Sequence, residues 1–295
     1  MNIALYSRFL KPEHVATTQH LLDVLKAQGA TVYIFEDFYN SFQQQVHAPE
    51  GLIAGTFLRH SDLAELSLDF FVTLGGDGTI LDAATLVRHL PLPIMGINLG
   101  RLGFLAMMEK QRLEQAVLAL KNNSYVLDRR TLLYLESSEP IFGDTNFALN
   151  DFTIHKRDTS AMVIIHAYIN GEFLNSYWAD GIIVATPTGS TGYSLSCGGP
   201  IIAPNSNNFV ITPVAPHNLN VRPIVIADDA VLSFEIEGRS ENFLCTLDSR
   251  YRTIQTSCQL AVRRADFSIQ LVRFSDRNFL YMIREKLNWG IDSRN

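Results

Sequence analysis

The sequence predicts two domains, an α/β domain with a mostly parallel sheet followed by an all-β, sandwich-like domain. Its 295 residues favour two domains over one. Apolar runs alternate with segments of helical periodicity up to residue 125, whereas short β-rich runs follow one another from there to residue 274. We therefore expect the α/β domain over residues 1–125, with residues 275–295 returning to it, and the β-rich domain over residues 126–274.

Strands and helices alternate in the first domain, which is the pattern of a parallel sheet. Residues 70–74 are continuously apolar, as in a strand that is covered on both faces, and residues 52–66 are ambiguous. Apolar periodicity and glycine or proline stops predict further strands at 3–6, 31–35 and 94–98 and helices at 12–27, 80–89 and 111–121. The expected arrangement is Rossmann-like.

The second domain contains the clearest hairpin signal of the chain, over residues 162–178. Two β-rich runs meet there at Asn170-Gly171, a pair typical of a type I′ turn. Further short strands are predicted at 132–135, 181–185, 209–212, 223–226, 231–236, 243–247, 259–263 and 267–272. Residues 279–287 have helical character, and we expect this C-terminal helix to return to the first domain.

The composition excludes several classes of protein. Hydrophobic residues make up 47% and charged residues 18%, as in ordinary globular proteins, and the net charge is -6. The net charge and the lack of a long Lys/Arg run argue against nucleic acid or an anionic membrane as the main partner. The three cysteines lack the paired spacing of a zinc site or a disulfide framework, and no apolar stretch approaches the ~20 residues of a membrane span. We expect a cytoplasmic protein.

Residues 75–79 (GGDGT) follow a buried strand and precede a predicted helix. Glycines let backbone N–H groups approach an anion closely, and the start of a helix favours negative charge at the same place. A carboxylate in such a loop is costly unless Asp77 holds a metal ion or accepts a proton from an attacking hydroxyl group. The alternative is that Asp77 only caps the helix, but this leaves two of the three glycines unexplained.

Two further segments are candidates for ligand contacts. The Gly-rich residues 96–105 follow another predicted strand, so this loop lies beside the Asp77 loop if the two strands are neighbours. Phe104 in this loop either packs on a ring of the ligand or belongs to the core. The Asn150-Asp151 pair offers an amide and a carboxylate that suit two sugar hydroxyl groups, although in isolation such a pair is more often an Asx turn.

Residues 180–196 form a second strand and loop of small residues. Glycines and hydroxyl side chains allow close approach of the backbone to a ligand, and Tyr193 supplies an aromatic face with a polar tip. The alternative is a Ser/Thr-rich surface turn. Asp248-Ser249-Arg250 interrupts a strand pattern and is typical of a hairpin turn. The sequence has no G-x-G-x-x-G after a strand, no P-loop and no G-x-S-x-G, which argues against common dehydrogenases, P-loop NTPases and α/β-hydrolases.

Several segments of the chain, in the order in which they occur, resemble segments of the NAD kinase family. The matching segments are GGDGT at 75–79, GINLGRLGFL at 96–105, Asn150-Asp151, ADGIIVATPTGSTGYSLSCGGP at 179–200, TPVAPH at 212–217 and REKLNW at 284–289. The resemblance implies phosphorylation of the 2′-hydroxyl of the adenosine ribose of NAD, which gives NADP. It further implies ATP or polyphosphate as donor, a divalent cation, usually Mg²⁺, and a homodimer or homotetramer.

The resemblance also implies roles for residues at matching positions. Asp77 is expected to accept the proton of the hydroxyl group or to orient it, and Gly78 to line the phosphate loop. Asn150 and Asp151 are expected to contact the ribose. The other residues implied to bind the dinucleotide are Asp180, Thr191, Gly192, Tyr193, Ser196 and Asp248, whereas Phe104 is a candidate from its place in the second Gly-rich loop alone. The family commonly has Glu in place of Asp151, Ala in place of Gly192 and Asp-Gly in place of Asp248-Ser249.

Two other functions remain possible from the residues alone. A lipid or sugar kinase has a similar Gly-rich loop, but it does not explain residues 180–200. A non-catalytic NAD(P) sensor keeps the aromatic and ribose contacts but has no need of Asp77.

Overall fold

The computed structural model describes residues 1–100, 103–157, 162–238, 241–274 and 278–289. The chain divides into two compact units. Unit 1 comprises Met1–Arg129 and Ile269–Asn295, and unit 2 comprises Arg130–Ser268. Arg101 and Leu102 of the second Gly-rich loop lie outside the described residues, as do residues 275–277 and 290–295 of the segment predicted to return.

Unit 1 contains the predicted parallel sheet, with the strand order β3-β2-β1-β4-β5. Its strands are β1 (Asn2–Tyr6), β2 (Thr31–Phe35), β3 (Ile53–Phe57), β4 (Phe70–Gly75), β5 (Ile94–Asn98) and the short β6 (Met108–Glu109). Its helices up to residue 129 are α1 (Val15–Ala27), α2 (Glu36–Phe42), α3 (His60–Ala64), α4 (Asp77–Val87) and α5 (Leu113–Lys121). The ambiguous residues 52–66 form β3 and α3.

Helices pack on this sheet because their apolar residues share one face. In α1, Leu21, Leu22 and Leu25 are fully buried in the core that also contains Ile3 and Val32 of the sheet. Strands β4 and β5 run parallel as neighbours, with Gly75 paired with Asn98. The loops that leave the two strands therefore start side by side, which confirms the expected adjacency of the two Gly-rich loops.

Unit 2 is built from antiparallel strands. Its strands are β7 (Val126–Ser137, which begins in unit 1), β8 (Phe147–Ala148), β9 (Asp151–Lys156), β10 (Val163–Ile169), β11 (Glu172–Ala179), β12 (Gly181–Ala185), β13 (Asn208–Val214), β14 (Ile224–Ala227), β15 (Leu232–Glu237), β16 (Asn242–Leu247), β17 (Arg250–Gln255) and β18 (Leu260–Arg273, which ends in unit 1). One sheet has the order β14-β13-β12-β9-β16-β17. In a second group, β15 pairs with β10 and with the start of β18.

A shared core lies between the two sheets of unit 2. Phe152 of β9 and Phe234 of β15 are fully buried, and their ring centroids are 5.7 Å apart. The sandwich-like, all-β prediction is thus confirmed, with the short helix α6 (Tyr193–Ser196) as an addition. Helix α7 (Phe279–Leu287) forms as predicted and belongs to unit 1.

The hairpin prediction is also confirmed. Asn170 and Gly171 join β10 to β11 with φ angles of 51° and 83°, the positive values that a type I′ turn requires. The separate strands predicted at 259–263 and 267–272 are one continuous strand, β18. Helix α2 and strands β9 and β17 were not predicted. In β17 this is because five of its six residues are not buried, so no apolar alternation marks it.

Within the part of the chain that the structure describes, no helix combines the length and the apolar character that crossing a bilayer requires.

Gly171 provides a test of the turn geometry. A methyl group at Gly171 would meet no atom within 4 Å, but the φ angle of +83° is strained for any L side chain. We expect Gly171→Ala to lower the free energy of unfolding by about 1 kcal/mol, as measured by urea denaturation. Gly55→Ala serves as a control because Gly55 has an ordinary φ and its added methyl would make only ordinary contacts with Tyr33. Equal effects of both substitutions would contradict the turn assignment.

Candidate functional site

The carboxylate of Asp77 joins the two Gly-rich loops of unit 1. Asp77 is the first residue of α4, directly after β4 and the N-cap residue Gly76. Its Oδ2 accepts the backbone N–H of Phe104 at 2.8 Å, and its Oδ1 accepts those of Leu105 and Ala106 at 3.0 and 2.9 Å. These three charge-assisted bonds hold the second loop against the first. The cap alternative is wrong, because the cap position belongs to Gly76.

The approach of the second loop to Asp77 requires a glycine. A Cβ atom at Gly103 would lie 1.8 Å from Oδ1 of Asp77, so any other residue there would displace the carboxylate or the loop. Phe104 follows with a half-buried ring that is not part of the described core clusters. The core alternative for Phe104 and its contact with a ligand both stay predictions.

A cavity of about 290 Å³ lies at the carboxyl ends of β1, β4 and β5. Its lining includes the basic side chains of Arg8, Lys11 and His14 and the backbone of Gly75 and Gly76. The Nδ1 atom of His14 is buried and has no hydrogen-bond partner among the described residues. Three basic side chains beside the start of an eleven-residue helix make this cavity suited to an anion.

Arg8 is held in place at the rim of this cavity. Its guanidinium group bonds both carboxylate oxygens of Asp82, and it also donates to the carbonyl oxygen of Gly78 at 3.3 Å. The hydroxyl of Tyr6 donates to Asp82 at 3.2 Å, and burial together with Asp82 raises the pKa of Tyr6. Gly78, which was predicted to line the phosphate loop, is thus fixed through its carbonyl and is not among the residues that line the cavity.

Unit 2 repeats the arrangement of a carboxylate that binds successive backbone N–H groups. Asp248 accepts the N–H groups of Leu149, Asn150 and Asp151 at 2.9, 2.7 and 3.3 Å. Its side chain is only 4% exposed, and Arg250 lies 4.0 Å away. Burial raises the pKa of the Asp248 carboxyl, and its N–H donors and Arg250 oppose that rise. The structure places this carboxylate against the backbone of the Asn150-Asp151 segment rather than on an accessible surface.

Asp248 also occupies the predicted hairpin turn. It has a φ of 54° and lies between the paired strands β16 and β17. The turn prediction for Asp248-Ser249-Arg250 is therefore confirmed.

The side chains of Asn150 and Asp151 are left available. Within the described residues, neither side chain has a hydrogen-bond partner, so the Asx-turn alternative is wrong. Asp151 is 8% exposed. Burial, and to a smaller extent the charge of Asp248, raises the pKa of Asp151 to about 7. An amide and a carboxyl group without protein partners can bind hydroxyl groups of a ligand.

Residues 186–196 form a loop with buried hydroxyl side chains. Thr186 and Ser190 are fully buried, and the Thr186 hydroxyl donates to the carbonyl oxygen of Leu149 at 2.6 Å. A Cβ atom at Gly189 would lie 2.0 Å from the carbonyl oxygen of Asn150. The loop therefore packs directly on the Asn150-Asp151 segment, and the surface-turn alternative is wrong.

The outer part of the same loop carries an aromatic pair. The rings of Tyr193 and His155 are stacked with centroids 5.6 Å apart, and the Tyr193 hydroxyl lies 2.9 Å from Nε2 of His155. Tyr193 remains 41% exposed. Lys156 pairs with Asp180 at 2.5 Å. Burial lowers the pKa of His155.

The remaining predicted residues lie on this loop too. Thr191 donates to the carbonyl of Thr188 at 3.2 Å, Gly192 is partly exposed, and Ser196 is exposed at the end of α6. Sequence analysis missed His155 and Lys156. Recognition of β9 would have found them, since this strand places them beside Tyr193 and Asp180.

The predicted site residues thus form one group in each unit. Unit 1 brings together Asp77, Gly78 and Phe104. Unit 2 brings together Asn150, Asp151, Asp180, Thr191, Gly192, Tyr193, Ser196 and Asp248. Across residues 1–100, 103–157, 162–238, 241–274 and 278–289, no three His, Cys, Asp or Glu side chains are placed to hold a metal ion.

The contacts of Asp248 predict a stability effect. In Asp248→Ala, three backbone N–H groups lose their acceptor, so we expect the free energy of unfolding to fall by about 2 kcal/mol in urea denaturation. The control is Asp266→Ala, because the Asp266 side chain is 88% exposed and its pair with Arg263 should contribute less than about 1 kcal/mol. A loss for Asp248→Ala no larger than that of the control would contradict the anchoring role.

Comparison with known proteins finds relatives over the full length of the chain. Residues 3–125 match the ATP-NAD kinase N-terminal domain, and residues 149–274 match the ATP-NAD kinase C-terminal domain. The chain is 48% identical to the NAD kinase of Cytophaga hutchinsonii and 42% identical to that of Flavobacterium psychrophilum, in both cases over 100% of each chain.

Two solved structures share the fold. A yeast NADH kinase complexed with NADH has a TM-score of 0.89 at 23% identity. This match covers 99% of the present chain and 88% of the yeast chain. An NAD kinase from Archaeoglobus fulgidus in complex with ATP has a TM-score of 0.73 at 23% identity, with 98% of each chain covered. These findings confirm the resemblance that the sequence motifs carry, and the chain belongs to the ATP-NAD kinase family.

Proposed function

We propose that this protein transfers a phosphoryl group from ATP to the 2′-hydroxyl of the adenosine ribose of NAD, which produces NADP. The observation that carries the proposal is the match over the full chain length to NAD kinases at up to 48% identity. The two groups of site residues support the proposal. The group in unit 1 suits the phosphates of the donor, and the group in unit 2 suits a ribose and an aromatic ring. Phosphoryl transfer needs mainly such positioning and charge stabilisation.

The cavity of unit 1 takes the phosphates of the donor. Arg8, Lys11 and His14 supply positive charge or N–H donors, and the start of α4 favours an anion at Gly75 and Gly76. A divalent cation, usually Mg²⁺, arrives with the donor as its phosphate complex, because Mg²⁺ is usually bound by one or two carboxylates together with substrate phosphates. Asp77 holds the loop with Phe104 beside this cavity, and Phe104 packs on a ring of the substrate.

The site residues of unit 2 take the dinucleotide. Asn150 and Asp151 bind ribose hydroxyl groups with side chains that have no partner in the described part of the protein. Tyr193 offers an exposed ring for stacking, and the backbone at Gly192 allows close approach. Thr191, Ser196 and Asp180 complete the contacts with the bases, and Asp248 acts by holding the Asn150-Asp151 segment. The protein works in the cytoplasm as a homodimer or homotetramer.

The activity itself is tested first. We expect the purified protein, incubated with NAD, ATP and Mg²⁺, to form NADP, which a dehydrogenase specific for NADP detects. Parallel reactions replace ATP by polyphosphate, and replace NAD by NADH, a sugar or diacylglycerol. The proposal fails if neither donor yields NADP or NADPH, and phosphorylation of the sugar or the lipid alone would favour the lipid or sugar kinase alternative.

Lys11 tests the location of the donor site. It is exposed, lines the cavity and has no ion pair among the described residues, so its charge is free for a phosphate. We expect Lys11→Ala to raise the KM for ATP about tenfold, because a charged hydrogen bond contributes ~1.5–3 kcal/mol, and to leave the KM for NAD unchanged. Lys26→Ala is the control, since Lys26 bonds the carbonyl of Glu50 outside the cavity. An unchanged KM for ATP would place the donor elsewhere.

A further inference from the structure

Arg250, the first residue of β17, binds the same chain segment as Asp248 at the other side of the turn. Its guanidinium group donates to the backbone carbonyl oxygens of Thr145 and Phe147. These carbonyl groups come just before the three backbone N–H groups that Asp248 accepts, which start at Leu149. The turn between β16 and β17 therefore presents a cation to the acceptors and an anion to the donors of one segment.

Two buried aromatic rings hold the guanidinium group of Arg250 in place. Its Cζ atom lies 5.8 Å from the centroid of the Phe142 ring and 5.7 Å from that of the Phe147 ring. A cation that is partly removed from water is attracted by the faces of such rings, and a planar guanidinium group can contact a ring and donate hydrogen bonds at the same time. The position of Arg250 is thus set by packing as well as by hydrogen bonds.

Arg250 also supports the charge of Asp248. Its Nη2 atom lies 4.0 Å from Oδ2 of Asp248, whose side chain is 4% exposed. Burial raises the pKa of the Asp248 carboxyl, whereas the backbone donors and the charge of Arg250 lower it. Removal of the cation from such a buried pair leaves an uncompensated charge, which weakens the ionised form that the three N–H groups bind.

Asn150 and Asp151 lie at the end of this segment. Their side chains have no hydrogen-bond partner among the described residues, so the backbone that carries them decides where they point. A displacement of about 1 Å at a substrate-positioning group can cost ~10²-fold in rate. A residue that fixes this backbone can therefore control substrate binding without any contact with the substrate.

We propose that Arg250 is a positioning residue for the side chains of Asn150 and Asp151, which bind the ribose hydroxyl groups of NAD. Arg250 acts through the segment that carries these side chains, which it binds directly at two carbonyl oxygens and indirectly through Asp248. This inference rests on the proposed function. The cavity proposed for the donor phosphates is lined by residues of unit 1 alone, so donor binding should not depend on Arg250.

The KM values of the two substrates test this role. We expect Arg250→Ala to raise the KM for NAD about tenfold and to lower kcat, because the ribose is held in a less productive position, while the KM for ATP stays within about twofold of the wild-type value. Arg250→Lys keeps a positive charge beside Asp248 but offers one ammonium group in place of a planar fork of donors. It should therefore restore the KM for NAD only in part.

Arg252→Ala is the matched control. The Cζ atom of Arg252 lies 5.7 Å from the centroid of the same Phe142 ring, but its side chain is exposed and donates to the carbonyl oxygen of Tyr251 at 2.8 Å. Since these contacts do not involve the segment that carries Asn150, we expect both KM values of Arg252→Ala to equal those of the wild type.

Every variant is assayed at a temperature at which its thermal unfolding curve shows it to be folded. A merely structural role of Arg250 predicts a lower Tm with an unchanged KM for NAD, and this result would overturn the inference, as would equal rises in the KM for NAD and for ATP. If Arg250→Ala does not fold, Arg250→Lys decides: a raised KM for NAD alone supports the inference, and any other pattern overturns it. Failure of the proposed function is distinct, since the wild-type enzyme would then form no NADP.

Amide hydrogen exchange gives a readout that needs no activity. We expect the three backbone N–H groups that Asp248 accepts to exchange about tenfold faster in Arg250→Ala than in the wild type, because local opening of the segment becomes easier. Arg252→Ala should show wild-type exchange at the same three groups. Wild-type exchange in Arg250→Ala would mean that Arg250 does not hold this segment, which would overturn the inference.

Discussion

A carboxylate that accepts three successive backbone N–H groups holds one segment in each of the two groups of candidate site residues. Asp77 holds the loop that starts at Phe104, and Asp248 holds the segment that starts at Leu149. Backbone outside helices and sheets lacks regular hydrogen-bond acceptors for its N–H groups. Without the carboxylate, the N–H groups of such a segment would have to bind water. Charge-assisted bonds are about twice as strong as neutral ones, and three of them from one side chain fix the backbone in one conformation.

This form of anchoring explains why glycines stand where the backbone approaches a polar group closely. The backbone can reach a carboxylate or a carbonyl this closely only where no Cβ atom intervenes, as at Gly103 and Gly189. Asp77 and Asp248 use their carboxylate oxygens to bind backbone N–H groups. The carboxyl group of Asp151 has no hydrogen-bond partner among the described residues, and burial together with the charge of Asp248 raises its pKa to about 7.

Much of the fold follows from local patterns. The strand, glycines and helix at 70–87 predict an anion site, and the parallel neighbours β4 and β5 place the two Gly-rich loops together. The partners of the key carboxylates were not predictable, because Asp77 bonds a residue 27 positions away and Asp248 bonds one 98 positions away. Strand β9 was missed because Asp151 at its start resembles a turn residue, which also hid the stacking of His155 on Tyr193.

The most direct measurement of this anchoring is a crystal structure of the protein with NAD bound. Asp77 should still accept the N–H groups of Phe104, Leu105 and Ala106, and Asp248 should still accept those of Leu149, Asn150 and Asp151. Release of either carboxylate from these N–H groups would contradict the account.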